Sequence, residues 1–130
     1  MPLKAKVRDA CKPFLPRGDE IRYAFPAAST DFAGERAASS IGGINFLVVV
    51  TDRRIVVIAC SYWRRYKPSS VWEVYPRSTR LGPVDIHPSF GPTISFGGLA
   101  LEIDEEYVSV VRAADLEVEG DLPADPLPDL

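Results

Sequence analysis

Ile44-Asn45-Phe46-Leu47-Val48-Val49-Val50-Thr51-Asp52-Arg53-Arg54-Ile55-Val56-Val57-Ile58-Ala59-Cys60 is the stretch on which the fold turns. Its two apolar runs, 44–51 and 54–60, are rich in Val, Ile and Phe and too short for two helices, which is the composition of strands. Asp52-Arg53 between them suits a tight turn, so the stretch predicts a central β-hairpin. Upstream, Ile21, Tyr23 and Phe25 alternate with Arg22 and Ala24, a half-buried strand expected to end at Pro26. Residues 27–43 read as a long polar loop. Downstream, Trp72 and Val74 alternate with Glu73 and Tyr75 in a fourth strand closed by Pro76. Thr79–Ile86 reads as a short strand interrupted by Gly82-Pro83, and Thr93–Phe96 with Leu99–Ile103 as a hairpin across Gly97-Gly98.

Helical spacing appears at both ends. Leu3, Val7, Ala10, Cys11 and Phe14 recur among Lys4, Lys6, Arg8 and Lys12, a short basic amphipathic helix stopped at Pro13. Asp104 is placed to cap a second helix, Glu105 and Glu106 favour its first turn, and Tyr107, Val110, Val111, Ala114 and Val118 form one apolar stripe. The expected fold is therefore mainly β with flanking helices: about seven strands in a bent barrel, plugged by the C-terminal helix, with a short N-terminal helix. The organisation expected is 1–17 as N-terminal helix and linker, 18–118 as one barrel domain, and 119–130 as an acidic, Pro-rich disordered tail.

Gly18-Asp19-Glu20-Ile21 opening the first strand, Phe46 to Ile55 in the hairpin, and Pro76-Arg77-Ser78-Thr79-Arg80-Leu81-Gly82 after the fourth strand are words of a known type. On them the chain, from Val7 to Glu117, resembles the pleckstrin-homology-like superfold and its GRAM-like bacterial members, a family of small actinobacterial proteins. That resemblance implies a seven-stranded bent barrel capped by a C-terminal helix, and no catalysis. Eukaryotic members often bind phosphoinositides through basic residues between the first two strands. Here residues 27–43 hold Arg36 alone against Asp31 and Glu35, which predicts no headgroup-selective phosphoinositide binding.

The 130 residues carry a net charge of −3, divided into +7 over residues 1–80 and −10 over 81–130. Such blocks either face each other or present two patches, and they argue less for an anionic partner than a uniformly basic chain would. No apolar run approaches the roughly 18 residues of a spanning helix, and Met1-Pro2-Leu3-Lys4-Ala5-Lys6 leads into charge, so a cytoplasmic protein is expected. Cys11 and Cys60 are expected as free thiols.

Candidate chemistry is sparse. The single histidine, His87, lies beside Pro88 with no nucleophile elbow in the chain, and one His with two distant Cys is too few for a metal site. The reading is non-enzymatic, with no cofactor and no metal. The basic and aromatic loop 61–70 carries the binding candidates Trp63, Arg64, Arg65 and Lys67, since guanidinium groups fork to carboxylate or phosphate and Trp63 supplies a rigid anchor. Arg53 and Arg54 at the hairpin tip are a second candidate cluster, expected at the opposite end of the strands. A solvated loop carries charge without any partner, so each candidate also has a purely structural reading. Three classes follow: a module binding a protein or peptide first, peripheral attachment to anionic lipid through the basic N-terminal helix and the 61–70 loop second, and nucleic acid third, with a homo-oligomer compatible with any of them. If the C-terminal stripe plugs the barrel, Val111→Asp buries an unpaired charge and unfolds the domain. A cooperative, native-like melt of that variant by circular dichroism would reject the plug.

Overall fold

A computed structural model of the chain describes residues 5–29, 45–60, 67–86 and 91–121. They form α1 (Ala5–Cys11), a 3-10 turn (Lys12–Phe14), β1 (Ile21–Ser29), β2 (Asn45–Thr51), β3 (Arg54–Cys60), β4 (Pro68–Pro76), β5 (Thr93–Phe96), β6 (Leu99–Ile103), a second 3-10 turn (Glu105–Tyr107) and α2 (Val108–Asp121). The strands make one antiparallel sheet in the order β4-β3-β2-β1-β6-β5, curled into a half-barrel. The hairpin is its centre: Val50 lies opposite Ile55 and Phe46 opposite Ala59. Every residue of 46–51 and 55–60 is buried, whichever face it points to. A sheet with one wet face would alternate, so β2 and β3 are covered on both sides.

Two helices supply part of that cover. Cys11 of α1 is fully buried, with Val7, Phe14 and Leu15 packed on the same core. Tyr107, Val111, Ala114 and Val118 bury the inner stripe of α2, and a valine so buried contributes about 1.5–3 kcal/mol. Polar contacts fix the helix in register. Asp115 accepts the Leu81 and Gly82 N–H groups at 2.8 Å each, and the Arg77 guanidinium donates to the Ala114 carbonyl at 3.1 Å.

The edges of the sheet, β4 and β5, approach each other at Tyr75. Its ring meets Phe96 edge-on at 5.3 Å and its hydroxyl donates to the Gly97 carbonyl at 3.1 Å.

Several sequence expectations need correction. The described residues hold six strands, not seven. Thr79–Ile86 is irregular: its Leu81 and Gly82 amides are taken by Asp115, Pro83 has no N–H to give, and only Asp85 bridges to Thr93. β1 does not stop at Pro26 but continues to Ser29. Pairing with β6 starts only at Ala27, so one side of Pro26 has no ladder to lose. Pro68, Ser69 and Ser70, expected in a loop, open β4. Asp104 precedes the second 3-10 turn, but its backbone carbonyl rather than its carboxylate accepts the Tyr107 N–H. The tail beyond Asp121 lies outside the described residues, as do residues 30–44.

Gly97 and Gly98 turn the last hairpin at φ +55° and +85°. A Cβ at Gly97 would overlap the Tyr75 ring, whereas one at Gly98 would meet nothing. Gly98→Ala should therefore cost only the left-handed backbone, about 1 kcal/mol, and Gly97→Ala at least about 2 kcal/mol, because the edge closure also moves. Urea melts of the two variants check the ranking.

Candidate functional site

The hairpin tip is built inward, not outward. The Thr51 side chain is buried, and its hydroxyl oxygen accepts the Arg53 and Arg54 N–H groups at 3.1 and 3.0 Å. The same hydroxyl has the Asp19 carboxylate at 3.0 Å and the Arg54 carbonyl at 3.1 Å as acceptors. Arg54 reaches Asp19, whose side chain is wholly buried, at 2.7 Å. Asp52 accepts the Glu20 N–H at 3.0 Å and its own N–H donates to the Glu20 carbonyl at 3.1 Å. The Glu20 N–H donated to its carboxylate holds the Asp52 carboxyl below the ordinary range. The segment before β1 is thus stapled to the tip of β2 and β3, and of the two tip arginines Arg54 is spent on the staple. Arg53 is largely exposed, 3.8 Å from Asp52.

A second polar cluster joins α2 to the sheet. Glu117 accepts the Tyr23 hydroxyl at 2.9 Å, and Arg22 and Arg77 lie at 3.1 and 3.3 Å from it. Burial pushes the Glu117 carboxyl up, but the three donors outweigh it and hold the group below the usual glutamate range. The hydrogen bond to Glu117 raises the Tyr23 phenol. Arg77 therefore pairs with the C-terminal helix.

The surface that neither cluster uses is β4. Val71, Trp72 and Val74 are 43%, 49% and 46% exposed, although they are large apolar side chains in regular structure. Two irregularities shape the strand. Val57 pairs with Glu73 but Ile58 with Val71, and Ala59 pairs with Ser70 but Cys60 with Pro68, leaving Trp72 and Ser69 as bulged residues. The Ser69 hydroxyl donates to the Ala59 carbonyl at 3.0 Å. The bulged Trp72 ring reaches Phe46, two strands away, edge-on at 5.3 Å. Lys67, just before β4, is exposed. Of the remaining loop candidates, Trp63, Arg64 and Arg65 lie outside the described residues, as does His87. Lys67 stands at the Pro68 end of β4 while Arg54 pairs with Pro76, so the hairpin tip and Lys67 occupy opposite ends of the strands.

The exposure of Val71 and Val74 has no sequence signal, since their pattern equals that of a covered strand. A cleft of about 770 Å³ between α1 and residues 15–21 is lined by both signs of charge, Arg8, Lys12 and Arg17 against Asp9 and Glu20, and the Asp9 carboxylate is 3.1 Å from Lys12. The described residues hold no group of three His, Cys, Asp or Glu side chains arranged for a metal. Both cysteines are buried and neither is in a disulfide, and burial pushes the Cys11 thiol up to about 11. No described helix is long and apolar enough to cross a membrane. Compared with known proteins, the chain matches no family model, no curated protein and no solved structure.

Because Glu117 is held low in the folded chain, its contribution is complete above the unfolded glutamate range and is lost as pH falls through the folded value. The melting temperature should drop on acidification, and the drop should be shallower in Glu117→Gln, which cannot titrate. Thermal melts of both proteins from neutral to acid pH check the difference in slope.

Proposed function

We propose that this chain is a non-enzymatic interaction module of the pleckstrin-homology-like type, binding a protein or peptide at the β4 edge. One observation carries the reading: on the β4 edge Val71 and Val74, which share one face of the strand, and Trp72, which turns to Phe46 on the other, are all about half exposed. Exposed apolar groups gathered on one strand are what a partner covers. Trp72 is braced by Phe46 and so loses little freedom when a partner packs on it. Lys67 adds a cation at the start of the strand, and Trp63, Arg64 and Arg65 precede it in sequence.

Recognition here is through side chains. Two bulges and a proline at each end of β4 oppose a continuous ladder with a new strand. On the other edge, β5, Thr93 already exchanges backbone bonds of 2.8 and 2.9 Å with Asp85. Attachment to anionic lipid is the weaker reading, because Val7, Cys11 and Phe14 of the basic N-terminal segment are turned into the core.

Val71→Ser with Val74→Ser removes two half-buried apolar side chains from the strand and should leave the domain folded, at a cost of about 2 kcal/mol. The tagged double variant should lose the principal protein captured by the parent from a native cell extract, while Arg53→Glu retains it. Retention of every captured protein by the folded double variant overturns the assignment, and salt-resistant flotation of the parent on phosphatidylserine vesicles would favour lipid.

A further inference from the structure

The buried stripe of α2 uses only one side of the helix. Glu105, Ser109, Arg112 and Leu116 recur at intervals of four, three and four residues, with Val108 and Ala113 flanking them. This is the spacing of a helix–helix seam. These residues, with Ile86, line an open groove of about 610 Å³ along the outer side of the helix. The two most exposed large hydrophobic residues of the described chain both belong to it, Ile86 at 64% and Leu116 at 65%. They mark its two ends. Leu116 lies toward the C-terminus of α2, whereas Ile86 also lines the adjoining hollow with Gly91, Pro92, Asp104 and Glu105 at the start of the helix.

We infer that this face is a self-complementary docking surface for a second copy of the chain, which packs its own α2 antiparallel across a two-fold axis. The charge order carries the inference. Glu105, in the 3-10 turn that leads into α2, and Arg112, in α2 itself, are both exposed, neither forms an ion pair with a described residue, and seven positions, about two turns, separate them. A two-fold axis midway between them reverses the second helix, so each Glu105 meets the Arg112 of the other copy, twice over. The same operation carries Leu116 one turn past the start of the opposing helix, where the Ile86 of the other copy lies. Near the axis stand Val108 and Ser109, and with Ala113 they are short enough to let the helices approach closely. One symmetry operation therefore satisfies both exposed charges and covers both exposed apolar ends. A partner with an unrelated helix would need to reproduce that order, and a second copy has it by construction. The proposal is independent of the β4 reading and uses none of its residues.

Sedimentation velocity of the full chain, from low micromolar to near-millimolar concentration at low salt, tests it. The parent should show a reversible monomer–dimer equilibrium that weakens as salt rises. Glu105→Arg sets Arg against Arg112 and Arg112→Glu sets Glu against Glu105, so each variant alone should dimerise at least about tenfold more weakly. An equimolar mixture of the two should form a heterodimer, and the double exchange in one chain should recover the homodimer. Leu116→Asp should abolish it, with circular dichroism confirming that each variant is folded. A parent that stays monomeric throughout the range overturns the proposal. So does a dimer indifferent to both charge reversals, or one lost in Val71→Ser with Val74→Ser, since that interface would be β4.

Discussion

Burial of the β2–β3 hairpin on both faces is the constraint from which the other parts of the molecule follow. Two runs of six positions, Phe46–Thr51 and Ile55–Cys60, are buried without regard to the side they point to. An antiparallel hairpin cannot reach that state alone, because half of its side chains would face water. The remaining strands curl the sheet until one face encloses itself, and helices are required to complete the cover. The apolar face of α2 and the packing of Cys11, Phe14 and Leu15 are consequences of that demand.

Apolar cover alone does not fix where a helix sits, since a greasy stripe slides with little change in area. Polar contacts at three residues of α2 remove that freedom. Asp115 reads two backbone amides of the loop after β4, Arg77 reads the Ala114 carbonyl, and Glu117 collects Tyr23, Arg22 and Arg77. The basic N-terminal and acidic C-terminal parts of the chain meet here. Part of the charge asymmetry along the sequence is thus consumed inside the fold and is not available to an external ligand. Arg54 makes the same point at the hairpin tip, where its charge answers the buried Asp19.

What could be read in advance divides along the range of the forces involved. The hairpin, the C-terminal hairpin and the inner stripe of α2 were legible because their signals are local: β-branched runs, Gly97-Gly98, and helical spacing. Thr79–Ile86 was misread because its amides are claimed by Asp115, more than thirty positions away in sequence, and no local pattern announces that. Gly18-Asp19-Glu20 and Thr51-Asp52-Arg53-Arg54 each stood out as separate words, and their contact through Asp19 and Asp52 is long-range. The candidate surface was legible only in part. Trp63 and its neighbours stood out by composition, whereas Val71, Val74 and Leu116 look like core residues. Leu116 alone gave a sign, since it falls out of phase with Tyr107, Val111, Ala114 and Val118.

The two exposed apolar regions differ in how they are guarded, and this separates their roles. β4 carries devices that prevent indiscriminate pairing: Pro68 and Pro76 at its ends, bulges at Ser69 and Trp72, and the charge of Glu73. Such devices block backbone recognition but leave side chains accessible, which suits a partner that fits the particular relief of Val71, Trp72 and Val74. The outer face of α2 has no backbone groups to guard, because a helix satisfies its own. Selectivity there must come from side-chain order, and the sequence Glu105, Arg112, Leu116 with Ile86 beyond the helix start is an order that its own reversal complements. An edge that resists copies of itself and a helix face that matches one are different physical solutions, so both surfaces can operate in the same molecule without competing.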